Sequence, residues 1–315
     1  MITIFTENSI EEPVISFIKR YLRALKKIAL GKSFSLKYGG HYAVTRSLLV
    51  GLDKLQVNYN YNPTKIDDLN KIVLVLSNIR ALKTAIKLKQ NGKIKKLFAG
   101  PNIINDPADE KELLSSKEID KFIVNSDWTK ELYGIAVPEL INKLSIWPAG
   151  VDEEYWSPKP EQKNKKALVY WKNGTRDFYQ SVVNILTENG WKISTIKYGK
   201  YKEKEFNKKL SDVSISIFLS NWESQGLALA ESWAMDIPTL VFNPKTIYEK
   251  YQVETSSSPY LSKDTGYDWK DINELNYLLK NENLMDIHPR KWLLENMTDK
   301  ICAQKLLNII YEKTN

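Results

Sequence analysis

Two glutamates eight positions apart, Glu223 and Glu231, flank a glycine, Gly226, in the run Ser220-Asn221-Trp222-Glu223-Ser224-Gln225-Gly226-Leu227-Ala228-Leu229-Ala230-Glu231. Ahead of them, residues 213–219 form a short β-branched, apolar run of strand length, and residues 238–242 form another. The spacing predicts a helix between these strands, with Ser224 as its N-cap and Gly226 in its first turn. Unsatisfied N–H groups, among them those of Gly226 and Leu227, and the positive helix end would then face outward, an arrangement that suits a diphosphate. Glu223 falls in the loop at the carboxyl end of the strand. Glu231 would lie about two turns along, ~12 Å on the helix axis, so one carboxylate could meet a sugar and the other a ribose. Glutamate is a common residue and the spacing alone is not specific. The surrounding elements must carry the reading.

Those elements alternate. Residues 71–77, 95–99 and 121–126 are strand-like and are separated by helical patterns, and the N-terminal Met1-Ile2-Thr3-Ile4-Phe5-Thr6 reads as a first strand. After residues 157–166, rich in proline and charge, come strands at 167–171, 192–198 and 213–219 with helices at 176–189 and 202–210. Helical patterns return from Asp271 to the end, and residues 256–262 read as a loop. The expectation is an α/β chain of two Rossmann-like β/α/β domains, the boundary falling in the proline-rich stretch.

Four motifs in chain order resemble the retaining, nucleotide-sugar-dependent glycosyltransferases of the GT-B fold, in the large group often called family 4, or glycosyl transferases group 1. The segment Glu223 to Glu231 resembles their E-x-F-G-[LF]-x-x-x-E, with Gln225 where an aromatic is usual. Trp147-Pro148-Ala149-Gly150-Val151-Asp152, preceded by a strand pattern and followed by Tyr155-Trp156-Ser157-Pro158, resembles their strand and P-x-G-V-D-x-x-x-F-x-P. Phe122-Ile123-Val124-Asn125-Ser126 resembles the strand and serine turn before it, and Tyr38-Gly39-Gly40-His41 resembles their glycine pair ahead of a helix. The chain departs from the pattern at Lys172 and Arg176, four apart and in reversed order relative to the family's Arg and Lys.

The resemblance implies an N-terminal acceptor-binding domain of residues 1–155 facing, across a cleft, a donor-binding domain of residues 156–297. A C-terminal helix within 298–315 would cross back to the first domain. It implies transfer of a hexose from a nucleotide-diphosphate sugar to a glycan or lipid-linked acceptor with retention of configuration. Lys172, Arg176, Gly226 and Leu227 would hold the diphosphate, with Gly39 and Gly40 approaching from the other domain. Glu231 would accept from the ribose hydroxyls and Glu223 would face the donor sugar, while His41 is a candidate contact to phosphate or sugar. Alternatives that keep this architecture are a nucleotide- or sugar-binding protein without transferase activity, a nucleotide-sugar epimerase and a sugar phosphorylase.

Composition narrows the partners. The 315 residues carry one cysteine, Cys302, and two histidines, which excludes an internal disulfide and a cysteine-cluster metal site. There is no D-x-D triplet, so no cofactor or metal is expected. No apolar run reaches the ~20 residues that span a bilayer, and the N-terminus lacks the pattern of a signal peptide, which points to a cytoplasmic protein. Residues 1–150 hold 23 Lys+Arg against 15 Asp+Glu, and the remainder hold 23 against 23, so the formal charge of +8 resides in the first half. A basic acceptor half suits an anionic acceptor or peripheral contact with an anionic membrane surface. The apolar spacing from Val14 to Ala29, interspersed with Lys19, Arg20, Arg23, Lys26 and Lys27, predicts a basic amphipathic helix, which reads equally as a domain helix with a solvated face. No nucleic-acid recognition motif accompanies the charge.

Overall fold

The structure is a computed structural model that describes residues 1–10, 40–159 and 165–312. The basic helix expected from Val14 to Ala29, Gly39 and part of the proline-rich stretch lie outside the described residues. The chain divides into two compact units. The first comprises residues 1–125, 130–147 and 304–315, and the second residues 126–129 and 148–303.

In the first unit, β1 (Ile2–Phe5), α1 (Gly40–Lys54), β2 (Tyr59–Tyr61), β3 (Ile72–Ser77), α2 (Ile79–Gln90), β4 (Lys96–Asn102), α3 (Lys111–Leu114), β5 (Lys121–Val124), α4 (Asp127–Ala136, of which residues 127–129 belong to the second unit) and β6 (Leu144–Ile146) follow one another. The six strands form one sheet in the order β2-β1-β3-β4-β5-β6, and every pairing is parallel. Asn78 caps α2 by accepting from the N–H groups of Arg80 and Ala81, which fixes the helix start directly behind the carboxyl end of β3.

The second unit contains β7 (Lys166–Trp171), α5 (Arg176–Glu188), β8 (Lys192–Lys197), α6 (Glu203–Leu210), β9 (Ile215–Leu219), α7 (Leu227–Ala234) and β10 (Thr239–Phe242). A small hairpin, β11 (Ile247–Tyr248) with β12 (Val253–Glu254), precedes β13 (Gly266–Trp269), α8 (Ile272–Asn281), α9 (Pro289–Asn296) and α10 (Asp299–Tyr311), the last of which belongs to the second unit through residue 303 and to the first from residue 304. The five-stranded sheet runs β13-β10-β9-β7-β8, parallel throughout. Both faces of this sheet are buried. Leu168, Tyr170 and Phe218 enter one core with Trp233 and Trp156, while Ala167, Val169, Ile215, Ile217 and Leu219 enter the other with Val182, Leu186 and Trp269. The period of two along a strand buried on both sides is what makes these strands read as continuous apolar runs. β13 and the hairpin are strands that the sequence reading did not identify. Gly266 is required in β13 because a Cβ there would stand 1.9 Å from the Thr239 carbonyl oxygen of its neighbour.

The turn Pro148-Ala149-Gly150-Val151 has a structural task in the second unit. Val151 N donates to Met297 O at 2.9 Å, and Asp299 N donates to Val151 O at 3.2 Å. A Cβ on Gly150 would lie 2.5 Å from Thr298 O, so only glycine lets these backbones come this close. Arg290, in the first turn of α9, donates to the carbonyls of Trp156 at 3.0 Å and Glu153 at 2.9 Å, and also to that of Ala234. It joins the end of α7 to the segment that follows the turn.

Candidate donor-binding site

In an open parallel sheet, ligands gather outside the carboxyl ends of the strands where the connection order reverses. In the second unit that point lies between β7 and β9, since β7 is followed on one side by β8 and on the other by β9. Lys172 is the first residue after β7 and Glu223 stands four residues after β9. The backbone N–H groups of Lys172 and Asn173 both donate to Leu219 O at 3.0 Å, which carries the pairing past the end of β7. Across the switch point the Lys172 ammonium donates to Glu223 Oε1 at 2.8 Å. The same ammonium sits 5.0 Å from the centre of the Tyr198 ring, just beyond β8.

Glu223 is fixed at both backbone ends. Its N–H donates to Ser256 O at 2.8 Å, and its carbonyl accepts from the indole N–H of Trp128 at 2.9 Å. The Ser220 hydroxyl lies 3.0 Å from Glu223 Oε1.

The helix after Glu223 starts later than its sequence suggests. Gly226, rather than Ser224, occupies the N-cap of α7, with φ +82° and ψ 52°. A side chain would be strained in that left-handed conformation and would place a Cβ 2.8 Å from Leu229 Cδ1. The Gly226 carbonyl accepts from Leu229 N and Ala230 N, closing the first turn, so the N–H of Leu227 belongs to the orphan set of the helix start. Gln225, the position off the family pattern, is buried and makes a two-point contact with one peptide. Its Nε2 donates to Ala149 O at 2.7 Å and its Oε1 accepts from Ala149 N at 3.0 Å. A phenylalanine side chain, the residue of the resembling motif, could supply neither bond.

Glu231 is the fifth residue of α7, little more than one turn in, because residues 223–226 are not helical. It is only 3% exposed. Two tyrosines that the sequence reading did not single out as site residues lie within the field of both carboxylates. Tyr170, on β7, and Tyr201, in the loop after β8, place their hydroxyls 3.0 Å apart. Burial is the main force raising the Tyr170 phenol far above its ordinary range, with Tyr201, Glu223 and Glu231 adding to it. The Tyr201 phenol is likewise raised, first by burial and then by Glu231, with Glu223 adding less and the bond to Tyr170 acting against it. Glu223 and Glu231 therefore act on one pair of rings. In the sequence, Tyr170 resembles any aromatic of a buried strand, and only its position two residues before Lys172 sets it apart.

The remaining candidates fall apart from this group. Arg176 is exposed at the first position of α5, whose N-cap Thr175 accepts from Phe178 N at 3.2 Å. Among the described residues no hydrogen bond or ion pair joins it to Lys172 or Glu223. Gly40 and His41 belong to the first unit and form the first turn of α1, so the helix begins at the glycine pair rather than after it. His41 is exposed, and a Cβ at Gly40 would meet open space. Gly39 lies outside the described residues. The second histidine, His288, rests its Nδ1 3.0 Å from Asp236 Oδ2. Among the described residues, no group of three His, Cys, Asp or Glu side chains could hold a metal ion.

No protein-family model matches the chain, and no curated protein matches it. Solved structures do. The lipopolysaccharide outer core galactosyltransferase WaaB in its apo form is 12% identical, with a TM-score of 0.59 over 98% of this chain and 98% of that one. HepE of Anabaena in complex with UDP-glucose is 8% identical, with a TM-score of 0.60 over 99% of each chain. A glycosyltransferase from Rickettsia africae is 13% identical, with a TM-score of 0.59 over 100% of this chain and 98% of that one. At these identities the likeness is one of architecture, and with two parallel sheets flanked by helices along the whole chain, the protein has the GT-B fold.

Proposed function

We propose that the protein is a glycosyltransferase that moves a hexose from a nucleotide-diphosphate sugar to a glycan or lipid-linked acceptor, with retention and without a metal ion. The observation that carries this reading is the group at the switch point of the second unit, where Lys172 meets Glu223 and both carboxylates bear on Tyr170 and Tyr201. The neighbours in complex with UDP and with UDP-glucose suggest a uridine donor.

In this reading Glu231 accepts from the two ribose hydroxyls, since an ionised carboxylate is a bidentate acceptor. The N–H groups at the start of α7, with Lys172, take up the negative charge that develops on the leaving diphosphate. Glu223 faces the hexose and stabilises positive charge at its anomeric carbon. The anomeric carbon's bond to the diphosphate oxygen breaks, a bond to the acceptor oxygen forms on the same face, and the departing phosphate oxygen takes the acceptor's proton. Arg176 is a further cation for the diphosphate, and Gly39, Gly40 and His41 are further candidates for contact with phosphate or sugar. We further place the enzyme in the cytoplasm, with its basic first half toward an anionic acceptor or the inner face of a membrane; no helix among the described residues is long and apolar enough to cross one.

A second reading, a binding protein without turnover, draws on one observation. The ammonium that should meet the diphosphate is engaged by Glu223. Incubating the protein with UDP-, GDP- and ADP-hexoses over a panel of mono- and oligosaccharides separates the two. Release of nucleoside diphosphate together with a product of unchanged anomeric configuration supports the transferase. Donor that binds and is neither transferred nor hydrolysed favours the second reading.

A further inference from the structure

Trp222 stands immediately before Glu223, and its side chain is 47% exposed. A single exposed aromatic is ordinary. What sets this one apart is the chain that holds it. The Ser220 hydroxyl lies 3.0 Å from the Trp222 carbonyl as well as 3.0 Å from Glu223 Oε1, and Ser220 O accepts from the Ser257 hydroxyl at 2.7 Å. On the other side Glu223 N is tied to Ser256 O and Glu223 O to the Trp128 indole. These bonds brace the main chain from Ser220 to Glu223. A large, half-exposed indole therefore directly precedes Glu223 on a braced loop.

We propose that Trp222 is a stacking platform for a pyranose ring whose hydroxyls Glu223 engages. One face of a pyranose is lined by C–H groups whose hydrogens carry slight positive charge, and the face of an indole is negative. A rigid aromatic with two side-chain torsions loses little entropy on contact, and the carboxylate of the following residue can accept from the hydroxyls that ring the sugar. The inference rests on the reading of this site as a sugar site and adds to it the residue that selects for a flat sugar face. The pyranose is either the donor's hexose or the acceptor's, and the two are separable by experiment.

The test uses the full chain with W222A and W222F. Binding is measured for UDP, GDP and ADP, for their hexose esters, and for free glucose, galactose and N-acetylglucosamine by saturation-transfer NMR. W222A should leave the nucleoside diphosphate within twofold of wild type and weaken a sugar-bearing ligand about tenfold, a tenfold change being the effect of one lost contact of ordinary size. W222F should recover part of the loss. Weakening confined to the hexose ester identifies the donor sugar, and weakening of the free hexose identifies the acceptor. The platform is overturned if W222A binds every sugar as wild type does, if it weakens the bare nucleoside diphosphate equally, or if its thermal midpoint falls as far as that of a core variant such as Trp233→Ala. Nucleoside diphosphate binding by the wild type that is lost in Glu231→Ala would leave the donor site standing even then, whereas wild-type protein that binds neither nucleotide nor hexose removes both.

Discussion

The ammonium of Lys172 donates to Glu223 Oε1 at 2.8 Å across the gap between β7 and β9, so the cation proposed to hold the diphosphate is paired with the carboxylate proposed to face the sugar. A dianionic diphosphate must compete with Glu223 for this ammonium. In Glu223→Gln the competition is removed. The expected result is tighter binding of a nucleoside diphosphate, by about fivefold if the half-buried pair is worth about 1 kcal/mol, together with loss of turnover. Calorimetric titration checks it, and weaker binding than wild type would show that Glu223 helps to hold the diphosphate.

Gly226→Ala should distort the start of α7. The left-handed conformation costs a non-glycine residue about 1–2 kcal/mol, and the added methyl would press on Leu229. The thermal midpoint should drop and nucleotide affinity with it. A variant as stable as wild type would mean that the cap is not left-handed in solution.

Gln225→Leu should be among the more damaging single changes in the second unit. It leaves the buried N–H and carbonyl of Ala149 without their partner, at about 1–3 kcal/mol for each unsatisfied group. Denaturant unfolding measures the loss. Gln225→Phe, which restores the aromatic usual in the resembling family, should not rescue it. Recovery of stability in that variant would contradict the two-point contact.

Alkaline unfolding should report Tyr170 and Tyr201. Both phenols are raised in the folded state, so the folded protein keeps protons that the unfolded chain gives up above about pH 10. Their contribution to stability is complete below that pH and is lost as pH rises toward the folded values, by about 1.4 kcal/mol per pH unit for each group. Tyr170→Phe should flatten the decline in stability between pH 10 and pH 11.5. An unchanged slope would place the phenols in contact with water.

Much of this architecture could be read directly from residue order, for a physical reason. β7, β9 and β10 are buried on both faces, so their runs are continuously apolar and their limits fall within two residues of those expected. β13 is harder to see, because Gly266-Tyr267-Asp268-Trp269 is short and carries an aspartate, and its place depends on the close approach to Thr239. The helix start was expected at Ser224 because serine is a common cap. The left-handed turn that makes Gly226 the cap directly follows Gln225, which is tied to Ala149, a partner 76 residues away that no local rule reveals. Tyr201 is equally silent, since its role comes from Tyr170 and Glu231 meeting it in space. The glycine pair illustrates the reverse case. Its spacing was legible, but Gly39 lies outside the described residues and Gly40 already belongs to a helix.

The central claim is a nucleotide site built around Glu231 in the second unit. A thermal-shift panel of UDP, GDP, ADP and their hexose esters, run on wild type and Glu231→Ala, tests it most directly. The account predicts a clear rise for one nucleotide in the wild type, about 2.7 kcal/mol at 100 times its dissociation constant. It also predicts loss of about 1.5–3 kcal/mol of binding in the variant. A wild-type shift that survives unchanged in Glu231→Ala, or no shift with any member of the panel, would contradict it.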